Sequence, residues 1–357
     1  MLIQFSFFFY LSFRDRTVFS LVASPREDLH PGHTCPGPGD LRLLRVGALY
    51  GANAAGKSNL IKAMTFAQQL ITKGTRPGET LLACPFRLGV ERRERSFFEF
   101  DIALGGLRHT YGFTLERGAI AAEWLYQGPG EHEALVFERE GTDPIRLGAP
   151  FAAARDFLSF VARGTRPEQL FLTELEERNV GQLQPLTDWF RGLLASEDKL
   201  RLLAEQGRTD EPLVDFELDE ESDAALRCRD LLPALFCHSA PSDTLPRPIV
   251  VIDELDRSLH PLLTRRLLEQ YLASCAGGQL IFTTHDAHLL DLSLLRADEI
   301  WFAEKDLEHC TRLYSLAEFK ADQLAQLGNH LGQGYRNGRF GAIPFIATRR
   351  RTHADGR

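Results

Sequence analysis

The sequence predicts an α/β fold with a mixed, mostly parallel sheet, an antiparallel β layer and a helical insertion. Three observations carry that prediction. First, the apolar runs LLRVGALY (43–50), PIVVIDE (248–254) and QLIFTTHD (279–286) alternate with helical stretches. Continuous apolar strands of that kind are covered by helices on both faces of a parallel sheet. Second, residues 97–139 read as FFEFDIAL, LRHTYGFTLE, AIAAEWLY and ALVFERE, broken by Gly105-Gly106 and Arg117-Gly118, the pattern of an antiparallel meander. Third, residues 151–205 switch to helical spacing, with Phe157, Leu158 and Val161, then Leu186, Trp189, Phe190, Leu193 and Leu194.

In chain order, MLIQFSFFFYL and TVFSLVA are expected to be strands because they are rich in aromatic and branched residues. Residues 24–40 hold enough Pro and Gly to read as a loop. LLRVGALY is one short buried strand, and NLIKAMTFAQQLI is a helix with Leu60, Met64, Ala67 and Ile71 on one stripe. Leu259, Leu263, Leu267 and Tyr271 mark a further helix after PIVVIDE, and EIWFAEKD with TRLYSL a hairpin. Trp124, Trp189 and Trp301 sit in apolar runs and are expected in the core. The organisation that follows is 1–150 (P-loop half and meander), 151–230 (helical insertion), 231–320 (the other half of the head) and 321–357 (tail).

Composition narrows the function. With 357 residues, 44% hydrophobic and 25% charged, the chain is globular, and long disorder, collagen and fibrous coiled coils are excluded. The net charge of −8 argues against a surface that wraps nucleic acid throughout, and leaves room only for a local basic contact. Arg92, Arg93 and Arg95, Arg349 to Arg351 and the acidic run 209–223 read first as solvated surface. None of the six cysteines falls in a CxxC pair or a zinc spacing, so reduced thiols are expected. The apolar N-terminus is too short for a bilayer span and lacks a basic leader, so the expectation is a cytoplasmic protein with no membrane contact.

Chemistry concentrates at three strand ends. Gly51-Ala-Asn53-Ala54-Ala55-Gly56-Lys57-Ser58 matches GxxxxGKS, between a buried strand and an amphipathic helix. Such a loop turns its N–H groups, and the positive end of the next helix, on a phosphate. Lys57 is expected to reach the β- and γ-phosphates of ATP and Ser58 to ligate Mg²⁺, with Asn59 flanking the loop. Val250-Val251-Ile252 delivers Asp253 as a second Mg²⁺ ligand and Glu254 as the group that polarises an attacking water. His285, at the end of Phe282-Thr283-Thr284, is expected to sense the γ-phosphate; metal binding with His288 lacks a third ligand. No NKxD guanine-reading word occurs, and an activating Glu254 argues against a small-molecule kinase.

These words in this order resemble the heads of ABC-type ATPases of the SMC, Rad and RecF-like group. More closely, the chain resembles bacterial AAA-type ATP-binding proteins of the RloA and AbiL phage-defence kind. The likeness runs through LSFRDRTVFSLVAS, YGANAAGKSNLIKAM, PFRL (85–88), YGF (111–113), EWLY (123–126) and VIDELDRSLHP. It continues through QLIFTTHDAHLLD, DEIWFAEKD, LYSLAEF and GRFGAIPF, and covers essentially the whole chain. The resemblance implies an ATP sandwich between two heads, in a homodimer or larger homo-oligomer. Ser222 of the signature-like segment Glu221–Arg227 would touch the nucleotide, and Asp256 would be the acid at the head–head contact. It also implies a separate effector protein. The segment carries Ala224-Ala225 where family members show a Gly-Thr or Gly-Gly step, and a methyl there crowds a phosphate approach. Two alternative readings are a RecF-like DNA-binding repair ATPase and a nucleotide-binding scaffold with little hydrolysis.

Overall fold

The computed structural model describes residues 1–78, 81, 86, 95–130, 133–195, 222–236, 249–274, 278–320, 324 and 330–343. Arg92, Arg93, Arg349 to Arg351, Glu221, residues 209–221, most of PFRL, the end of GRFGAIPF, Cys84, Cys237 and Cys275 lie outside the described residues. The strands in chain order are β1 (Leu2–Phe8), β2 (Thr17–Ser20), β3 (Thr34–Pro36), β4 (Arg42–Leu44), β5 (Val46–Tyr50), β6 (Arg95–Leu104), β7 (Leu107–Glu116) and β8 (Ala119–Gly128). They continue with β9 (Ala134–Glu140), β10 (Arg146–Leu147), β11 (Leu193–Leu194), β12 (Ile249–Ile252), β13 (Gln279–Thr283), β14 (Ile300–Lys305) and β15 (Thr311–Ser315). The helices are α1 (Lys57–Lys73), α2 (Arg155–Gly164), α3 (Phe171–Glu177), α4 (Gln184–Arg191), α5 (Asp223–Phe236), α6 (Pro261–Ala273) and α7 (Leu331–Arg336).

Two large sheets organise the molecule. A seven-stranded sheet has the order β10-β9-β8-β7-β6-β1-β2, antiparallel throughout. A six-stranded sheet has the order β11-β12-β13-β5-β14-β15, parallel except for the closing β14–β15 hairpin. This is the mixed α/β architecture with a separate antiparallel layer that the sequence predicts.

The continuous apolar strands are explained by a core on each face of the six-stranded sheet. Leu49, Val251 and Ile281 join α1, the antiparallel sheet and α2 to α4 in one core. Val46, Ala48, Tyr50, Val250, Ile252 and Phe282 join α5, α6 and α7 in the other. The predicted stripe of α1 is fully buried at Leu60, Met64, Ala67 and Ile71. Burying Leu60, Met64 or Ile71 contributes roughly 1.5–3 kcal/mol each.

Polar groups stitch the parts together. The Gln279 carboxamide stands in for backbone where the sheets meet: Oε1 accepts from Leu2 N–H (2.6 Å), and Nε2 donates to the carbonyls of Leu2 and Leu44 (both 2.9 Å). Glu123, wholly buried, accepts from Phe171 N–H (2.6 Å), Leu172 N–H (3.0 Å) and the Tyr111 hydroxyl (3.0 Å). It thereby caps α3 onto the antiparallel sheet. Burial raises the Glu123 pKa above the usual carboxylate value.

Several local expectations are corrected. LLRVGALY is two strands, broken at Arg45, whose guanidinium leaves both sheets to bond the carbonyls of Tyr271, Leu272 and Ser274 at the end of α6. The loop 24–40 contains β3, paired with β4. Leu193 and Leu194 do not continue the helical spacing: they form β11, an edge strand beside β12. Phe157 faces outward, 51% exposed. Trp124 lies half-buried outside the core, its indole N–H donating to Glu99 (3.1 Å) above Gly112, where a Cβ would come 2.4 Å from the ring. Trp189 and Trp301 are buried as expected. Cys35, Cys228 and Cys310 are free thiols.

Candidate functional site

β12, β13 and β5 are adjacent and parallel, so their C-terminal ends open on one edge of the sheet. That edge is where ligands bind in open α/β sheets. The loop Gly51–Gly56 leaves β5 there and passes directly into α1. Two glycines are required by contact as well as by conformation. A Cβ on Gly51 (φ +155°) would lie 2.4 Å from the Ala303 carbonyl oxygen, and one on Gly56 (φ +111°) 2.2 Å from Thr311 Oγ1. Asn53 and Ala54 are exposed at the tip, Ala54 in the left-handed region (φ 63°), while Ala55 is buried. A second layer braces the loop. Thr311 Oγ1 lies 2.9 Å from the Ala55 carbonyl and 2.7 Å from Ser12 Oγ, and Asn59 Nδ2 donates to Ser12 Oγ (2.8 Å).

Lys57 is buried, and its ammonium donates to the carbonyls of Gly51 (2.8 Å) and Ala52 (3.2 Å). His285 Nε2 is 3.2 Å away. Burial pushes the Lys57 pKa down to about 8, against the pull of Asp253, Glu254 and Asp256. Partial burial and the neighbouring Lys57 charge lower the His285 pKa, which favours the neutral imidazole beside the ammonium.

One hydroxyl fixes the Asp253 carboxylate and the Glu254 backbone. Thr283 Oγ1, at the end of β13, donates to Asp253 Oδ1 (2.6 Å) and accepts from Glu254 N–H (2.8 Å). Glu254 sits in the left-handed region at φ 54°, strained for a non-glycine residue. Its carbonyl accepts from Arg227 of α5 (3.4 Å), which ties the signature-like helix to the carboxylate turn. Asp256 Oδ2 accepts from His285 N–H (3.4 Å), while its buried Oδ1 has no partner among the described residues. Ser222 caps α5, its Oγ accepting from Ala225 N–H (3.2 Å), and no hydrogen bond joins it to the P-loop among the described residues.

The structure therefore brings Lys57, His285, Asp253, Glu254 and Asp256 to one edge, beside the loop holding Gly51 to Ser58, and keeps Ser222 on a separate helix. Sequence reasoning misses Thr283, Ser12, Thr311, Arg227 and Tyr335. Tyr335, on α7, donates its hydroxyl to the Ala342 carbonyl (3.1 Å) and sets its ring edge-on to Tyr50, the residue before Gly51 (centroids 6.2 Å apart). For Thr283 a signal exists: a hydroxyl ending an otherwise apolar strand.

The family model described as "AAA domain, putative AbiEii toxin, Type IV TA system" matches residues 47–160 and 191–291, more than half of the chain. The chain belongs to this AAA domain family. The two matched blocks of the AAA domain contain every candidate residue predicted from sequence, whereas Ser12, Thr311 and Tyr335 fall outside them. Among solved structures, the SMC head domain from Thermotoga maritima is similar at 14% identity and TM-score 0.39, covering 88% of this chain and 98% of that one. An SMC head bound to the C-winged helix domain of ScpA is similar at 14% identity and TM-score 0.42, covering 91% and 99%. No curated protein matches the chain. Among the described residues no helix is long and apolar enough to cross a membrane.

Proposed function

We propose that this AAA domain hydrolyses ATP with Mg²⁺ and uses the cycle to switch conformation or assembly. The observation that carries the reading is the single hydroxyl of Thr283, which sets Asp253 and Glu254 beside the Lys57–His285 pair at the mouth of the P-loop. The residues fit a Mg²⁺-bound triphosphate. A Cβ on Gly51 or Gly56 would push the loop off Ala303 or Thr311 and spoil its shape, and the Lys57 ammonium now rests on loop carbonyls that a phosphate can replace. Ser58 and Asp253 supply the hard oxygen ligands that Mg²⁺ prefers. When bound, the cation neutralises charge on the phosphate oxygens.

The chain's own residues take the remaining roles. Lys57 neutralises the phosphates, Glu254 orients water and accepts its proton, and His285 reports on the γ-phosphate. Asn53, Ala54, Ala55 and Asn59 line the nucleotide, and Ser222 with Asp256 meets the nucleotide of a second copy. On the sequence words shared with the RloA and AbiL kind, the proposed setting is anti-phage defence in the cytoplasm, with a separate effector. The test is Glu254→Gln. ATP binding is expected to persist, hydrolysis to fall at least a hundredfold, and ATP to trap dimers or larger assemblies seen by size-exclusion mass. Hydrolysis at the wild-type rate by this variant would refute the role of Glu254. A second reading, a scaffold with little turnover, is favoured by Ala224-Ala225 in the first turn of α5. ATP binding with neither turnover nor assembly in the wild type would establish it.

A further inference from the structure

We propose that a cavity outside the P-loop binds a small phosphorylated ligand. The cavity, of about 640 Å³, lies between the first turn of α6, the segment just after His285, and α7. Its size is that of an ordinary small-molecule site.

Its charge points to an anion. Asp291 is the acid of the lining, and Arg265 already answers it at 2.9 Å while also holding Glu269 (3.0 Å) and Ser293 (3.2 Å). What remains is Arg336 and three imidazoles, His260, His288 and His330, all exposed. Arg336 makes no ion pair among the described residues. His260 Nδ1 accepts from Leu262 N–H (3.3 Å), so its Nε2 carries the proton and is a donor. The thirteen-residue helix α6 begins at this wall and adds the positive end of its dipole. A phosphate, with three peripheral oxygens, can use the guanidinium and the imidazole donors together. The apolar part of the wall, where Leu262 is 70% exposed beside Pro261, suits the rest of a nucleotide-sized ligand.

The walls also lead to the P-loop by two routes. His288 follows His285 by one short turn, whose Ala287 carbonyl would lie 2.4 Å from a Cβ on Gly332 of α7. On α7, Tyr335 precedes Arg336 and packs edge-on against Tyr50, the last residue of β5 before the loop (centroids 6.2 Å apart). A ligand held by His288 and Arg336 binds residues that neighbour both contacts, so binding is expected to change affinity at the P-loop, and reciprocally.

The test uses the full chain with Lys57→Ala, which removes the P-loop amine, titrated calorimetrically with pyrophosphate and with UMP. One equivalent is expected to bind, UMP more tightly than pyrophosphate, and adding Arg336→Ala or His288→Ala is expected to weaken each at least tenfold. A second readout needs no variant. In the wild type, UMP is expected to slow carbethoxylation of His260, His288 and His330, mapped by peptide mass, and to leave exposed His309 unchanged. Equal affinity after Arg336→Ala and His288→Ala, or no protection of the three histidines at millimolar probe, would overturn the proposal. Neither measurement uses ATP turnover, so this site stands or falls independently of the ATPase reading.

Discussion

Replacing Thr283 by Val isolates the hydroxyl that holds the Asp253 carboxylate and the Glu254 backbone. The side chain is fully buried and Val has nearly its shape, so no cavity opens. Two interactions disappear: a hydrogen bond to the Asp253 carboxylate at 2.6 Å and the acceptor for Glu254 N–H at 2.8 Å. A hydrogen bond to a charged group contributes about 1.5–3 kcal/mol, and an abandoned buried donor costs about 1–3 kcal/mol. Asp253 is only half-buried, so water recovers part of the first loss. The expected destabilisation is about 2–4 kcal/mol, or a Tm lower by roughly 3–5 °C for a chain of this size. Freed of its tether, Glu254 also loses the support for its left-handed backbone, and Asp253 its orientation. Loss of such an outer partner typically weakens a metal site about 10–100-fold. Urea unfolding, with Mg²⁺ titration of fluorescent ATP-analogue binding, reads both effects. Thr283→Ser, which retains the hydroxyl, is expected to keep its Mg²⁺ dependence. Stability within about 0.5 kcal/mol of wild type, with unchanged Mg²⁺ dependence in Thr283→Val, would refute the reasoning.

Three further outcomes are expected. Gly56→Ala forces a methyl onto Thr311 and strains φ, so ATP-analogue binding is expected to fall at least a hundredfold by calorimetry, with a Tm loss of several degrees. Ligand-free Lys57 titrates near pH 8, and phosphate binds its charged form. ATP affinity is therefore expected to be flat below that pH and to fall about tenfold per unit above it, a dependence that Lys57→Met should abolish. Because the folded pKa lies below the unfolded value of 10.5, the ligand-free protein gains stability as pH rises from about 8 to 10.5. Glu123→Leu strands the N–H groups of Phe171 and Leu172 and the Tyr111 hydroxyl, at a cost of about 3–6 kcal/mol in urea unfolding; a change under about 1 kcal/mol would show that α3 is held by apolar packing alone.

The parts legible in the sequence are those written locally. The P-loop announces itself because glycine placement, a lysine and a hydroxyl fall within eight residues, and the runs ending at Tyr50, Ile252 and Thr283 announce buried strands. What escapes is long-range. Ser12 and Thr311 meet across 299 residues of chain, and Gln279 reaches Leu2 across 277. No spacing rule connects such pairs. β11 is missed because a two-residue edge strand made of Leu193 and Leu194 is indistinguishable from the end of the α4 stripe. Trp124 is misplaced because apolar neighbours in sequence alternate between the two faces of a strand, and its face is the outer one. Arg227 looks like a solvated helix residue until α5 is docked against Glu254.

The central position of β5 has a consequence for biosynthesis. Its two hydrogen-bonding neighbours, β13 and β14, come from the last third of the chain. At ordinary elongation rates they emerge on the order of ten seconds or more after the phosphate loop itself. Until then Leu49 and Tyr50 have no strand to pair with, and the nascent loop has no sheet to stand on. ATP can therefore act as a folding ligand only on a nearly finished polypeptide. The antiparallel meander β6 to β9, whose partners are adjacent in sequence, closes first and gives the waiting segment a surface to rest against. Truncated chains ending before Gln279 should accordingly need chaperones and show no nucleotide dependence in their protease resistance.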